Sequence, residues 1–145
     1  MDHNMFCFQC EQTAGCTGCT SRGVCGKDAQ TAQVQDRLTG ALIGLARAAD
    51  TSPDAGPETW QLMIEGLFAT LTNVNFDPDS LNALAGRVRA EKQRLVPDCA
   101  VCTAPCGRTG DYDLAQLWGA QEDIRSLKSL LLFGSRGMAA YAYHA

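Results

Sequence analysis

Trp60-Gln61-Leu62-Met63-Ile64-Glu65-Gly66-Leu67-Phe68-Ala69-Thr70-Leu71 is the stretch that decides the fold class. Its bulky apolar residues, Trp60, Met63, Ile64, Leu67, Phe68 and Leu71, fall at i, i+3, i+4, i+7, i+8 and i+11, the spacing of one face of an α-helix. Pro57 suits the first helical turn and Glu58 its positive end. The stripe predicts an amphipathic helix with Trp60 and Phe68 in the core, ended by Asn73 to Asn75. Upstream, Val34, Leu38, Ala41, Leu42 and Leu45 predict a helix over about Thr31 to Ala49, with Asp28 as its N-cap. The turn-rich run Thr51 to Gly56 joins the two. Downstream, Asp77 and Pro78 restart a helix with a buried stripe of Leu81, Leu84, Val88 and Leu95, stopped by Pro97.

A last helix is predicted from about Gln121, with Ile124, Leu127, Leu131, Met138 and Tyr141 on one side. Gly134 and Gly137 either weaken it or admit another helix at close range. It reaches Ala145 without a cap or a polar tail, which reads as a chain cut within an element. No strand pattern or internal repeat is visible. The expectation is an all-α helix bundle of about four helices carrying two Cys loops. It divides into a Cys-rich loop over 5–27, helices over 28–95, a second Cys-rich loop over 96–113, and a C-terminal helical segment over 114–145.

Composition narrows the function classes. The chain has 145 residues, 46% of them hydrophobic and 19% charged, which suits one soluble globular domain. The net charge is −4 with no basic patch, so no nucleic-acid partner is expected. No apolar run is long enough to cross a membrane. The N-terminus lacks the pattern of a secretory signal, which makes the cytoplasm the expected compartment. In a reducing compartment, cysteines read first as metal ligands or redox groups.

The eight cysteines are grouped. Five lie between Cys7 and Cys25, three between Cys99 and Cys106, and residues 26–98 carry none. In the first group, Cys7, Cys10, Cys19 and Cys25 make a C-x2-C-x8-C-x5-C pattern. Four thiolates suit an iron–sulfur cubane, and they suit structural zinc equally well. Free thiols are the third alternative, and spacing alone leaves all three open. Gly15, Gly18, Gly23 and Gly26 allow the backbone to fold closely and aim amides at a central group. Arg22 and Lys27 would offset negative charge there, and Phe6 and Phe8 would shield it from water.

Several runs carry a resemblance. Met5-Phe6-Cys7-Phe8-Gln9-Cys10-Glu11-Gln12-Thr13, then Gly-Cys-Thr and Gly23-Val24-Cys25-Gly26-Lys27, resemble the N-terminal signature of the hybrid-cluster protein (hydroxylamine reductase) family. Val34-Gln35-Asp36, the run Gly66 to Asp77, and the closing Ser126-Leu127-Lys128 to Ala145 are similar to the same family, in the same order and over nearly the whole chain. The resemblance implies a [4Fe-4S] cluster on Cys7, Cys10, Cys19 and Cys25; members with a longer Cys spacing carry [2Fe-2S]. It also implies reduction of hydroxylamine to ammonia and water, and in some members of nitric oxide. That chemistry occurs at a mixed iron–sulfur–oxygen cluster whose His, Glu and Cys ligands, one of them persulfidated, come from later domains. Nothing in this sequence matches those ligand motifs, so no catalytic residue is assigned. The implied role is electron transfer, with an electron-donor protein as one partner and a chain carrying the remaining reductase domains as another. A zinc-stabilised helical module that binds a partner protein, and the small subunit of a split reductase, are the competing readings.

Cys99, Cys102 and Cys106 form C-x2-C-x3-C. Three thiolates leave one position open, which Cys16 could fill to give a zinc or cluster site; a reduced loop without metal is the weightier alternative. His3 and Glu11 read as exposed, His144 as packed in the final helix, and Trp118 as packing under the second Cys loop. Asp113 reads as a helix cap and Asp111 as a turn residue. No nucleophile–His–Asp set or phosphate-binding Gly loop is present.

Overall fold

The computed structural model describes residues 5–10, 17–97 and 110–145. Among the described residues five helices follow one another: α1 (Ala29–Thr51), α2 (Pro57–Ala69), α3 (Pro78–Leu95), α4 (Leu114–Trp118) and α5 (Glu122–His144). The all-α expectation holds. The C-terminal segment is two helices, since α4 ends at Gly119 before α5 begins. Among the described residues the only extended pairing is a single antiparallel bridge between Cys7 and Cys19.

Capping residues set the helix starts as expected. The Asp28 carboxylate accepts from the Thr31 N–H at 2.7 Å, Asp77 from Asp79 at 3.0 Å, and Asp113 from Ala115 at 2.9 Å. Each satisfies an amide that the helix itself leaves without a partner.

α1 is the central element and packs most extensively along α3, with α2 on another side. The predicted stripes of α1 and α3 form the core: Val34, Leu38, Ala41, Leu42 and Leu45 meet Leu81, Leu84, Val88 and Leu95, and Leu38, Leu45 and Leu81 are fully buried. A third side of α1 is crossed by residues 110–112. Gly40 and Gly44 supply the groove, because a Cβ at Gly40 would overlap the Tyr112 carbonyl oxygen and one at Gly44 would lie 3.1 Å from the Gly110 oxygen. The Tyr112 N–H donates to the Gly40 carbonyl at 3.0 Å. Asp111 ties the same segment to α3 through Arg89 at 2.8 Å and Lys92 at 2.5 Å. Asp111 is therefore an ion-pair residue rather than a simple turn residue.

α2 departs from the expectation. Its buried face is Thr59, Leu62, Gly66 and Ala69, not the bulky stripe. A Cβ at Gly66 would come within 2.6 Å of Leu42, so α2 approaches α1 through its smallest residue. That close approach turns the large side chains sideways, and Trp60 is 46% exposed. Phe68 is half-buried and stacks on Tyr143 of α5, with ring centroids 4.4 Å apart. His144 is exposed and meets Phe68 edge-on at 5.2 Å.

α5 buries only Ser129, Arg136 and Ala139. Ile124, Leu127, Leu131, Gly134, Met138 and Tyr141 follow one another at intervals of three and four, the a/d spacing of a helix–helix seam. The bulky members of that seam all face solvent, with Leu131 71% and Tyr141 85% exposed. Among the described residues no helix is long and apolar enough to cross a membrane.

Candidate redox-centre site

The N-terminal segment folds back on itself at the start of α1. Cys7 and Cys19 exchange both backbone hydrogen bonds at 2.9 Å, so a twelve-residue sequence separation becomes direct contact. Gly18 permits this with φ +128, and the Phe6 ring lies where a side chain at Gly18 would stand. A second tight turn follows. The Gly23 N–H donates to the Lys27 carbonyl and the Gly26 N–H to the Gly23 carbonyl, both at 2.8 Å, with Gly26 at φ +92. This turn holds the Cys25 sulfur over Gly23, 3.1 Å from where a Cβ would be. Cys10 lines a cleft of about 250 Å³ together with Gln9, Leu71, Thr72, Phe133 and Arg136.

Buried polar groups surround these thiols. Lys27 is 2% exposed, and its ammonium donates to the Cys7 Sγ at 3.6 Å and to the Gln9 Oε1 at 3.2 Å. The Gln9 amide in turn donates to the Asp36 carboxylate at 2.7 Å. Arg136 reaches in from α5 and is also 2% exposed. Its Nε donates to the Thr70 hydroxyl and its Nη2 to the Thr39 hydroxyl, each at 3.0 Å. Its Nη1 is buried and has no hydrogen-bond partner among the described residues.

The electrostatics follow from burial. Desolvation raises the Asp36 carboxyl to about 6, opposed by the Gln9 hydrogen bond and by the charges of Lys27 and Arg136. Burial lowers the Arg136 guanidinium to about 10, opposed by Asp36 and Cys7. Burial pushes the Cys7 thiol up, and the Lys27 charge pulls it down. With Cys7 protonated, two buried cations face a single carboxylate among the described residues. An uncompensated buried charge is costly, and an orphaned buried donor adds to that cost. Negative charge on the cysteine sulfurs would balance both. The residues present therefore fit a thiolate-held anionic group such as an iron–sulfur cluster. Among the described residues, no three Cys, His, Asp or Glu side chains are grouped closely enough to hold a metal ion, so the structure pairs Cys7 with Cys19 but does not gather Cys7, Cys10, Cys19 and Cys25 together.

Several neighbours differ from expectation. Trp118 packs edge-on against both Phe6 and Phe8 of the first Cys segment, each at 5.6 Å, while the second Cys loop lies outside the described residues. Phe6 is exposed and Phe8 half-buried. Lys27 lies against Cys7 as the charge argument anticipated, whereas Arg22 is exposed. Gln9, Asp36 and Arg136 were not anticipated. The available signal was a Gln between two cysteines, and an Arg in a helix face otherwise made of small residues. Cys16, Cys99, Cys102 and Cys106, with His3 and Glu11, lie outside the described residues, so the possible second metal site does too.

The features together define a helical protein whose N-terminal cysteine segment is built around buried positive charge. Residues 5–145 match the Prismane/CO dehydrogenase family, and the chain belongs to that family, whose members bind iron–sulfur clusters. It is 39% identical to a hydroxylamine reductase of Desulfitobacterium hafniense (strain Y51), over 98% of this chain and 30% of that protein. It is likewise 39% identical to one of Clostridium perfringens, over 98% and 30%, and 38% identical to one of Maridesulfovibrio salexigens, over 97% and 29%. The chain thus spans about 30% of the length of the curated relatives it matches.

Proposed function

We propose that this chain is the electron-transfer part of a hydroxylamine reductase, with Cys7, Cys10, Cys19 and Cys25 holding a [4Fe-4S] cluster. The observation that carries the reading is the pair of buried cations, Lys27 and Arg136, set against Cys7 and beside Cys10 with too little negative charge to balance them. When bound, the cluster would supply one-electron transfer. Lys27 holds positive charge against the Cys7 sulfur, and Phe6 and Phe8, either side of Cys7 in sequence, pack on Trp118. The Gln9 backbone N–H hydrogen-bonds the Cys7 sulfur, and amide hydrogen bonds of that kind would favour a more reduced, more negative state.

Reduction of hydroxylamine to ammonia and water consumes two electrons and two protons at the N–O bond. In this reading that step, and nitric oxide reduction where it occurs, belongs to the part of the relatives that this chain does not span. The exposed seam of α5 is the surface on which that part packs: it has helix-pairing spacing, and more than two thirds of the relatives' length is available to cover it. A donor protein passes electrons in through the N-terminal cluster.

Anaerobic reconstitution with ferrous iron and sulfide tests the cluster assignment. The expected product is brown and holds about four irons and four acid-labile sulfides per chain. Protein that stays colourless and takes up no iron overturns the assignment, and stoichiometric zinc uptake in its place favours a structural zinc module.

A further inference from the structure

Arg136 stands 97 positions from Thr39 and 66 from Thr70 in sequence, yet its guanidinium joins α5 to both α1 and the end of α2. The two threonine hydroxyls accept from Arg136 while donating onward, Thr39 to the Gln35 carbonyl and Thr70 to the Leu67 carbonyl, each at 2.8 Å. They therefore fix the orientation of the guanidinium plane. Helix cross-linking alone would be served by a neutral side chain and would not require a buried charge. The cation is 2% exposed, one of its nitrogens has no partner among the described residues, and it shares the walls of one cleft with Cys10. Among the described residues, the only carboxylate acting on it is Asp36, which is already engaged by Gln9 and also faces Lys27.

We propose that Arg136 is a positioning residue for electron transfer: a rigidly held counter-charge that sets the reduction potential of the group bound by Cys7, Cys10, Cys19 and Cys25, acting together with Lys27. Adding an electron makes a thiolate-bound cluster more negative. A fixed cation nearby, in a medium less polarisable than water, favours that reduced state. Lys27 stands against Cys7 and Arg136 beside Cys10, and two fixed charges of the same sign acting on one group contribute in the same direction. The inference rests on the cluster assignment above.

The test uses the reconstituted full chain as wild type, Arg136→Lys, Arg136→Met and Lys27→Met. Iron and sulfide content are measured first, then the midpoint potential by EPR-monitored redox titration. At a fixed poise, Arg136→Met is expected to raise the oxidised-to-reduced ratio about tenfold, a fall of 59 mV in midpoint for a one-electron couple. Arg136→Lys should restore most of that loss, because it keeps the charge while losing the fork. Lys27→Met should shift the midpoint in the same direction, which keeps the proposal decidable if Arg136→Met fails to fold. A loaded, folded Arg136→Met with the wild-type midpoint, or Lys27→Met unshifted where Arg136→Met does not fold, overturns the proposal and leaves Arg136 as a structural link. A wild-type chain that takes up no iron and sulfide defeats the cluster assignment itself.

Discussion

The same substitution, glycine to alanine inside a helix, should have opposite effects at Gly40 and Gly86. Both positions lie within long helices, Gly40 in α1 and Gly86 in α3. Alanine is favoured over glycine in a helix interior by about 0.5–1 kcal/mol, because glycine loses more backbone freedom on folding. A Cβ at Gly86 meets nothing within 4 Å, so Gly86→Ala should stabilise the chain by about that amount. At Gly40 the methyl would overlap the Tyr112 carbonyl oxygen, with the carbonyl carbon only 3.2 Å away. The obstacle is backbone, which cannot swing aside like the end of a flexible side chain. Moving residues 110–112 off α1 breaks the Tyr112–Gly40 hydrogen bond, a loss of about 1 kcal/mol. It also strains the Asp111 pairs with Arg89 and Lys92, at most about 1 kcal/mol each for partly exposed charges. The Tyr112 ring would lose its placement beneath the cations of Arg47 and Lys128, at 5.5 and 5.8 Å, an interaction of about 0.5 kcal/mol apiece when exposed. Set against the helix gain, overpacking of this kind leaves Gly40→Ala destabilised by about 1–3 kcal/mol. Urea titrations followed by far-UV circular dichroism, with the denaturant slope held constant, give the difference directly. A Gly40→Ala midpoint at or above that of wild type would refute the crossing of α1 at Gly40.

Two further outcomes are expected. The Glu91 carboxyl is held down at about 2 by Arg94, with help from the Thr59 hydroxyl; its contribution is therefore complete above its ordinary value of 4.5 and is lost as pH falls toward 2. Glu91→Gln should flatten that part of the stability-versus-pH curve, and an unchanged acid limb would count against the pairing. On the α5 seam, Leu131→Glu combined with Met138→Glu should change the stability of this chain by less than about 0.5 kcal/mol per site, since both residues face solvent. The same pair should abolish co-purification with the remaining domains of a hydroxylamine reductase supplied in trans, and undiminished co-purification would assign the docking surface elsewhere.

The helical class and most helix limits were legible in the sequence because they depend on local physics. Asp28, Asp77 and Asp113 each sit one residue before a helix and accept from its first amides, and apolar residues recur every three to four positions in α1 and α3. The grouping of the cysteines was equally plain, and with it the expectation of a thiolate-bound group. Less was legible where two faces of a helix were both eligible for burial. The pattern of α2 marks its bulky stripe as the core face, yet the helix packs through Gly66, because a residue without a Cβ lets it come closest to Leu42. In α5 the pattern locates an apolar seam correctly but cannot say whether anything covers it.

What the sequence by itself determined, then, is the local content: helices, caps, the glycines around Cys19 and Cys25, and four cysteines at a spacing that suits a metal or cluster. Only the tertiary structure decided which polar groups are removed from water. Lys27 could be read as a counter-charge from its place beside the cysteines, but Arg136, 109 positions further on, looks like an ordinary surface cation when read along the chain. Folding buries both of them beside Cys7, with Asp36 between them in charge, since burial is a property of how helices meet and not of any residue's neighbours in sequence.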